Sequence, residues 1–411
     1  MSTTRPQVIV LGAGTMGAAT CMELARRGVR VLGIDRSSVP NSNASHHGGS
    51  RIIRECYFEH PDYVPLLLRA TERWGDFERT ARALHLLHAG PIVHRVGVLY
   101  VGAEGSEVVG RSYESGVAHG VPCERLDARE VAARFPQFRL PTGWSALHEP
   151  RSGFVRPERA VSAAVAIARM HGAEIHEHEE AIEWSETASG VRVRTDRGMY
   201  EADSLVITAG AWTPKLAATL GVRLEPQRAV IGWFAPRDAA MCDSSRMPVW
   251  YIDRPGQPGV YGIPTAPDQG QPIGVKVAFH AAVPCDPDAP RAPATGAELA
   301  ALARATSEFV PAAAGRAVAA ATCLYTMSPD GHFVIDRMPG CTRTWVACGF
   351  SGHGFKFMPV IGEAMADLAV TGATTLPIGF LGAARFRDAP EAAAARDFRN
   401  NWGRCRAARI S

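Results

Sequence analysis

The sequence predicts an α/β protein with two domains, one built on a parallel sheet and the other on an antiparallel sheet. The first observation is that residues 7–35 read as strand, glycine turn, helix, strand and acid, a complete βαβ unit. The second is that residues 85–150 and 220–320 are rich in short strands, turns and proline, as expected of a separate antiparallel sheet. A chain of 411 residues is long enough for this division.

The βαβ unit carries a dinucleotide-binding pattern. Gly12, Gly14 and Gly17 form G-x-G-x-x-G, which permits a tight turn, close approach of backbone N–H groups to a pyrophosphate, and close packing of helix on sheet. The helix that follows directs its N-terminal dipole at the anion. Asp35 ends the second strand, where a carboxylate accepts hydrogen bonds from a ribose and disfavours a 2′-phosphate. The unit predicts a Rossmann-type domain that binds NAD or FAD.

Composition excludes several other classes of function. The charged fraction is 21%, the hydrophobic fraction is 46% and the net charge is +3, which argues against binding to nucleic acid or a membrane surface. No segment reads as a signal sequence or a membrane span. Nine cysteines, an odd number without paired spacing, favour a reducing cytoplasm.

The segment after the second strand combines turn-forming residues with His46, His47, Arg51 and Arg54. We expect Arg51 and Arg54 to share one face of a helical turn, with Ile52 and Ile53 on the other face. Two interpretations are open here. The segment is a solvated loop, or it lies against the cofactor with Arg54 as a planar fork for a carboxylate.

Periodicity predicts five further helices, at 62–83, 126–135, 157–172, 295–310 and 359–370. An antiparallel ribbon at 190–200 precedes a buried strand that ends in Ala209-Gly210-Ala211. This order of elements is more typical of FAD-binding two-domain flavoproteins than of NAD dehydrogenases, although periodicity alone does not establish it. Residues 85–150 carry no recognisable chemistry.

Two later segments contain candidate site residues. Residues 259–264 and 274–280 read as neighbouring strands, and Lys276, Ala278 and His280 project from one face of the second strand. This face lines a pocket or is half exposed to solvent. In the second segment Gly349, Gly352 and Gly354 permit the backbone to lie flat against a planar ligand.

Lysine usage is unusual. Lys215, Lys276 and Lys356 are the only lysines among 44 basic residues. A chain that otherwise uses arginine is expected to keep lysine where a compact, tunable ammonium is needed. Two of the three lie in the segments just described.

The sequence resembles the family of monomeric sarcosine oxidase and N-methyltryptophan oxidase, within the D-amino-acid-oxidase-like flavoproteins. The matching runs lie between residues 7 and 387 in family order: Ser45–Gly48, Ser50–Arg54, Tyr63–Leu66, Tyr261–Gly262, Lys276 with His280, Thr322–Thr326, Asp330–Asp336 and Phe350–Phe357. Departures are Gly49 where the family commonly has aspartate, the run 55–60, and a longer connection at 263–272.

The resemblance implies an FAD cofactor bonded covalently through Cys323, which keeps the cofactor bound and favours hydride acceptance. It divides the chain into an FAD-binding domain (1–86, 151–220 and 319–387), a substrate domain (87–150 and 221–318) and a C-terminal tail (388–411). The residues implied to contact the cofactor are Gly12, Gly14, Thr15, Met16, Gly17, Asp35, Arg36, Ser45, His46, Arg51, Ala181, Ala209, Gly210, Trp212, Cys323, Gly349, Gly352, His353, Gly354 and Lys356.

The resemblance also implies the catalytic groups. Arg54 and Lys356 bind the substrate carboxylate, and Lys276 promotes reaction of the reduced flavin with O2. The remaining implied site residues, which orient substrate or flavin, are His280, Arg51, Tyr261 and Tyr325. No metal is required.

We therefore expect a monomeric FAD-dependent oxidase that converts a secondary amino acid, N-methyl or cyclic, to an imine and reduces O2 to hydrogen peroxide. The departures favour a bulkier or specialised secondary amine, such as a biosynthetic intermediate. Two alternatives are a flavin dehydrogenase that passes electrons to a carrier and a non-catalytic flavin- or NAD-binding subunit. Lys276 argues against the first, and the combination of Arg54, Lys356 and Cys323 argues against the second.

Overall fold

A computed structural model describes residues 5–268 and 270–387, so the predicted C-terminal tail at 388–411 lies outside the described residues. The strands are β1 (Val8–Leu11), β2 (Val31–Ile34), β3 (Arg51–Ile53), β4 (Val93–Arg95), β5 (Val98–Ala103), β6 (Glu124–Asp127), β7 (Trp144–Glu149), β8 (Gly153–Val155), β9 (Glu174–His176), β10 (Ala181–Thr187), β11 (Gly190–Thr195), β12 (Met199–Ala202), β13 (Ser204–Ile207), β14 (Glu225–Phe234), β15 (Val249–Ile252), β16 (Val260–Ile263), β17 (Val275–Phe279), β18 (Val283–Pro284), β19 (Ala317–Met327), β20 (Val334–Arg337) and β21 (Thr344–Cys348). The α-helices are α1 (Thr15–Arg26), α2 (Tyr63–Ala83), α3 (Glu107–Ala118), α4 (Ala128–Arg134), α5 (Pro157–Met170), α6 (Thr213–Leu216), α7 (Gly296–Phe309) and α8 (Met358–Thr371).

The predicted βαβ unit forms the centre of a six-stranded sheet with the order β20-β21-β13-β1-β2-β9. Strand β1 pairs in parallel with β2 on one side and β13 on the other, and β20 is the antiparallel edge strand. All four residues of β1 are buried, as expected of a central parallel strand covered on both faces. Helices α1, α5 and α8 pack together, and Gly362 brings α8 close to α1 because a Cβ there would lie 2.7 Å from Ala19 Cβ.

The second large sheet has the order β18-β14-β17-β16-β15-β5-β7-β6, and β19 pairs with the other side of β14. Its pairs are antiparallel except for the parallel pair β5 and β15, so the sheet is mixed rather than purely antiparallel. Strands β16 and β17 are neighbours as predicted. Strand β19 pairs with nearly the whole of β14. Residues 319–327, which the resemblance places in the FAD-binding domain, therefore belong to this sheet and not to the six-stranded sheet.

The prediction of a helical turn at Arg51 and Arg54 is wrong. Residues 51–53 form strand β3, which pairs with β8 and joins β4 in a three-stranded sheet. Two adjacent isoleucines, which are β-branched, favour a strand, and the pairing partner lies about a hundred residues away in sequence. Alternation along the strand therefore turns Arg51 and Arg54 in opposite directions.

The other predicted helices are confirmed as α2, α4, α5, α7 and α8, with ends within a few residues of those expected. Asp127 and Thr295 form capping boxes at the starts of α4 and α7. Helix α3 is missing from the prediction. Within residues 5–268 and 270–387, every helix is too short or too polar to cross a lipid bilayer.

Candidate active site

A cavity of about 360 Å³ lies between the six-stranded sheet and strand β19 of the larger sheet. Its walls include the turn after β1, the carboxyl ends of β2 and β13, and the loop after β21. Sixteen of the predicted cofactor-binding residues line it: Gly12, Gly14, Thr15, Met16, Asp35, Arg36, Ser45, His46, Arg51, Ala181, Ala209, Gly210, Trp212, Gly349, Gly352 and Gly354. Gly17, Cys323, His353 and Lys356 are not part of this wall.

The three glycines of the turn have different surroundings. A Cβ on Gly12, whose φ is +86°, would lie 2.6 Å from the carbonyl oxygen of Thr208. A Cβ on Gly17 would lie 1.9 Å from the carbonyl oxygen of Gly12, so Gly17 permits the helix to pack on the turn and does not face the cavity. Gly14 has no neighbouring atom within 4 Å of its Cβ position and lines the cavity at the start of α1. This open position fits the close approach of a pyrophosphate.

Asp35 follows the last residue of β2 and lines the cavity. Its carboxylate accepts a hydrogen bond from the backbone N–H of Ser37 at 2.9 Å. Burial raises the pKa of Asp35 to about 6, so the group is mainly ionised at neutral pH and protonated below pH 6. A carboxylate at this strand end fits a ribose hydroxyl as its partner.

Loop 45–50 forms another part of the wall, and Arg51 holds it in place. The guanidinium of Arg51 donates to the carbonyl oxygens of Ser45 at 2.9 Å and Ser50 at 2.8 Å. The buried His46 has no partner for Nε2, while its Nδ1 lies 3.4 Å from Thr15 Oγ1, and burial lowers its pKa to about 4. A neutral imidazole with a free Nε2 at the cavity wall offers one hydrogen bond to a bound cofactor.

Glu158 at the start of α5 is a residue that the sequence reasoning missed. Its Oε1 accepts hydrogen bonds from the backbone N–H groups of Gly48 at 2.8 Å and Gly49 at 3.1 Å. Burial opposes its charge, but hydrogen bonds from His47 and these N–H groups hold the pKa of Glu158 well below its usual range. Glu158 therefore stabilises the loop as an ionised group, and the acidic first turn of α5 was the available signal.

Four predicted site residues share one face of the larger sheet. They are Lys276, Tyr261, Cys323 and Tyr325. Tyr261 pairs with Ala278, which lies two residues from Lys276 on β17, and Lys276 pairs with Trp233 of β14. Cys323 and Tyr325 lie two residues apart on β19, which pairs with the other side of β14. Their period-two spacing directs these side chains to the same face. The hydroxyls of Tyr261 and Tyr325 hydrogen-bond each other, and burial raises the pKa of both.

Cys323 is 2% exposed on that face, beside the guanidinium of Arg51. The next residues of the strand, Leu324 and Tyr325, line the cavity. The thiol is therefore adjacent to the cavity wall without forming part of it.

Lys276 is 2% exposed, and its ammonium is held at the edge of loop 45–50. It donates to the carbonyl oxygen of Gly48 at 2.9 Å and to that of Ser50. Burial, aided by the charge of Arg51, lowers the pKa of Lys276 well below its usual value. The face that carries Lys276 is therefore buried, which decides against the half-exposed alternative.

Arg54 and Lys356 both lie close to the ring of Tyr57. The guanidinium carbon of Arg54 is 4.0 Å, and Lys356 Nζ is 5.3 Å, from the centre of the Tyr57 ring. Lys356 donates to the carbonyl oxygen of His353 at 2.6 Å. Burial, reinforced by the charge of Arg54, lowers the pKa of Lys356 well below its usual value. Two buried cations this close favour an anion as ligand.

Glu59 supplies an anion from the chain itself. Its Oε1 accepts a hydrogen bond from Arg54, while Oε2 is buried without a partner. The side chains of Arg54 and Glu59 are 8% and 1% exposed. Sequence reasoning noted the run 55–60 as a departure but did not identify Glu59, because the pairing depends on the path of a loop.

His280 and His353 differ in their surroundings. Burial lowers the pKa of His280 to about 3, so the imidazole is neutral beside Tyr251, at a ring-centre distance of 5.9 Å. His353 Nδ1 and Tyr57 Oη are 2.6 Å apart, and His353 Nε2 lies 3.0 Å from the carbonyl oxygen of Gly331. His353 therefore orients Tyr57. It is not among the residues that line the cavity, and its contact with the cofactor stays a prediction.

The open position at Gly14, the orphaned His46 Nε2 and the carboxylate of Asp35 together fit a dinucleotide cofactor. The model of the FAD dependent oxidoreductase family, DAO, matches residues 7–368. The chain belongs to this family. Its cofactor is therefore FAD, which resolves the choice that the glycine pattern left open, and the prediction of an FAD-dependent oxidoreductase is confirmed.

Relatives within the family are similar over most of the chain. Monomeric sarcosine oxidase of Streptomyces avermitilis is 41% identical over 387 residues, covering 93% of this chain and 98% of the relative. N-methyl-L-tryptophan oxidase of Salmonella dublin is 33% identical over 369 residues, covering 88% and 94%. The resemblance predicted from the motifs is thereby confirmed.

Among solved structures, the open form of NikD, described as an unusual amino acid oxidase essential for nikkomycin biosynthesis, has a TM-score of 0.79 at 26% identity. The match covers 92% of this chain and 98% of NikD. L-proline dehydrogenase from P. horikoshii has a TM-score of 0.78 at 21% identity over 93% and 98% of the two chains, which shows a shared fold. The predicted fold class, a two-domain α/β flavoprotein, is confirmed.

Proposed function

We propose that this flavoenzyme oxidises the C–N bond of a secondary amino acid, N-methyl or cyclic, and reduces O2 to hydrogen peroxide. The observation that carries the proposal is the pair of buried cations, Arg54 and Lys356, at one aromatic ring beside the FAD site. The sarcosine oxidase and N-methyltryptophan oxidase relatives support it, because the substrates in both names are secondary amines that carry a carboxylate.

The substrate carboxylate binds to Arg54 and Lys356. Arg54 offers a planar fork, and Lys356 offers a point charge. Since Glu59 already accepts a hydrogen bond from Arg54, the substrate must displace or share that contact. The substrate carboxylate therefore takes over or shares the position of the Glu59 carboxylate. An anion balances the charge of the buried Arg54 both before and after binding.

The reacting amine is neutral when it is oxidised. The cations of Arg54 and Lys356 disfavour a further positive charge in the site. His280 is neutral because of burial, so it orients the amine through hydrogen bonding and not through charge. Bound FAD would supply the acceptor for the two electrons and the hydrogen that leave the carbon next to nitrogen, and water would hydrolyse the imine product.

Lys276 acts in the second half of the reaction. Its Nζ is held by the backbone of loop 45–50 on the sheet face that also carries Cys323 and Tyr325. A fixed ammonium in a poorly solvated site stabilises negative charge that develops on oxygen as it is reduced. We also propose that Cys323 bonds covalently to FAD, because the thiol lies beside the cavity wall and next to Arg51.

Anaerobic reduction is the decisive experiment. The purified holoenzyme is mixed without oxygen with sarcosine, N-methyltryptophan, proline and the corresponding primary amino acids, and the loss of flavin absorbance is followed. Rapid bleaching by secondary but not primary amino acids is expected. Bleaching by none of them contradicts the proposed substrate class and favours a non-catalytic subunit.

Oxygen then distinguishes an oxidase from a dehydrogenase. One hydrogen peroxide per substrate oxidised in air is expected, and slow reoxidation with fast reduction of an added electron carrier contradicts oxidase function. Acid precipitation tests the covalent bond. The pellet of the wild-type protein is expected to stay yellow, that of Cys323→Ser to be colourless, and that of the control Cys348→Ala to stay yellow.

We further propose a cytoplasmic monomer. The eight cysteines of the described residues are all free thiols, which suits a reducing compartment. Sedimentation of the holoenzyme at several concentrations tests the oligomeric state, and a concentration-dependent dimer would contradict it.

A further inference from the structure

Two free cysteines lie next to each other beside the Arg54–Glu59 segment. The side chains of Cys56 and Cys123 are neighbours and interact with each other. Both point at Gly116 in α3, where a Cβ would lie 2.6 Å from Cys56 Sγ and 3.0 Å from Cys123 Sγ. The absence of a side chain at residue 116 therefore makes room for the two sulfur atoms, which come from segments 67 positions apart in the chain.

Cys56 is fixed to the groups that hold Arg54. Its carbonyl oxygen accepts hydrogen bonds from Tyr100 Oη at 3.0 Å and from Arg54 Nη1 at 3.3 Å. Its backbone N–H donates to the carboxylate of Glu149 at 3.3 Å. A change in the bonding of Cys56 is therefore transmitted directly to the backbone that positions the Arg54 guanidinium.

Cys123 offers an approach from solvent. It lies immediately before β6 and is partly exposed, whereas Cys56 is fully buried. Burial raises the pKa of both thiols, and the charges of Glu149 and Glu55 add to this effect at Cys56. A raised pKa lowers the thiolate fraction and slows the oxidation of both thiols, so their exposure decides the order of reaction. Cys123 is the thiol that an oxidant reaches first, and Cys56 is placed to resolve the product.

We propose that Cys56 and Cys123 are a modification site, at which hydrogen peroxide forms a reversible disulfide that ties the Arg54–Glu59 segment to the start of β6. The inference rests on the proposed function for the source of the peroxide and for the binding of the substrate carboxylate at Arg54, whereas the cross-link itself does not depend on it. Transient disulfides of this kind are the usual form in a reducing compartment.

The chemistry balances in two steps. The sulfur of Cys123 attacks peroxide, the O–O bond breaks, and a sulfenic acid and one water form. The sulfur of Cys56 then attacks the sulfenic sulfur, the S–O bond breaks, and a second water leaves that consists of the sulfenic hydroxyl and the proton of the Cys56 thiol. Two thiols are oxidised and one hydrogen peroxide is reduced to two waters.

The disulfide holds the loop in the arrangement in which Arg54 is paired with Glu59. A substrate carboxylate that has to separate this pair then binds less well, whereas the groups around the reacting carbon are unchanged. We expect KM for a secondary amino acid to rise roughly five- to tenfold with little change in kcat, a coupling of ordinary size. A thiol reductant should reverse the effect.

The test uses added peroxide, so that it does not depend on turnover. The reduced holoenzyme is treated with stoichiometric hydrogen peroxide, free thiols are alkylated, and peptides are mapped by mass spectrometry. A cross-linked peptide containing Cys56 and Cys123 is expected in the wild-type protein and in the control Cys341→Ser, but not in Cys123→Ser. Cys56→Ala serves as a second variant.

Any other product overturns the inference. Such products are Cys123 oxidised beyond the sulfenic acid without a cross-link, and a cross-link to a different cysteine. An unchanged KM after full cross-linking contradicts the effect on the loop. If added peroxide forms the disulfide but substrate turnover yields no peroxide, the proposed oxidase function fails while the modification site stands.

Discussion

The ion pair between Arg54 and Glu59 joins two side chains that are 8% and 1% exposed. A buried pair of this kind is costly to break by removing one partner, because the other charge is left uncompensated. The pair therefore links the stability of the substrate-free enzyme to the affinity for a carboxylate ligand.

We expect Glu59→Gln to lower the stability of the substrate-free enzyme by about 3–5 kcal/mol. The same variant should bind a simple carboxylate inhibitor such as acetate more tightly, by roughly tenfold, because the competing anion is gone. Thermal melts with and without inhibitor measure both effects. The control Glu55→Gln changes another buried carboxyl nearby. Equal changes in stability and in inhibitor affinity for the two variants would contradict the role of Glu59.

Lys276→Met is expected to separate the two half-reactions. Anaerobic reduction by substrate should change little, whereas reoxidation by O2 should slow by about 10²–10³-fold, because a fixed charge at the developing anion is lost. Stopped-flow measurements of each half-reaction decide this. Lys356→Met is the matched variant, and it should weaken substrate binding and leave reoxidation near normal. A slowed reduction in Lys276→Met would argue for a role in substrate binding instead.

The affinity for FAD is expected to fall as the pH drops through about 6, where Asp35 takes up a proton. The ionised carboxylate is the stronger acceptor for a ribose hydroxyl, so this contribution is present above that pH and lost below it. FAD titrations of the Cys323→Ser protein between pH 5 and 8 measure it. Asp35→Asn in the same background should bind FAD weakly at every pH, by roughly tenfold, and a persistent pH step in that variant would assign the effect to another group.

Gly14→Ala is expected to lower the FAD content of the protein, whereas Gly17→Ala is expected to lower its stability. The Cβ of Gly14→Ala meets no atom of the folded chain, so the protein should fold with normal stability but contain little FAD. The Cβ of Gly17→Ala falls 1.9 Å from the Gly12 carbonyl oxygen, so overpacking should cost about 1–3 kcal/mol or more. Urea unfolding and flavin content measured on both proteins check this. Normal FAD content in Gly14→Ala would contradict the pyrophosphate approach at this turn.

Local patterns in the sequence were sufficient to predict the glycine turn, Asp35 and most helices, because each depends on neighbours within a few residues. The strand at Arg51 could not be predicted from such patterns, since its partner β8 lies far along the chain. Helix α3 was missed because Gly110 and Gly116 weaken its helical pattern, although Ser106 is a recognisable N-cap.

The candidate site was predictable where a residue type is itself informative. Lys276 and Lys356 stood out because lysine is rare in this chain, and both are buried. Glu59 and Glu158 did not stand out among 41 acidic residues, and only the folded loop shows their partners. The hydrogen bond between His353 and Tyr57 could not be predicted for a similar reason, because it joins segments almost three hundred residues apart.

Strand β19, which carries Cys323, belongs to one sheet, whereas the glycine turn and Asp35 belong to the other. The proposed thioether at Cys323 would therefore join the two sheets through the flavin, in addition to the connections of the chain. The flavin would then be a cross-link between the sheets, and unfolding of either sheet would strain its bond to the other.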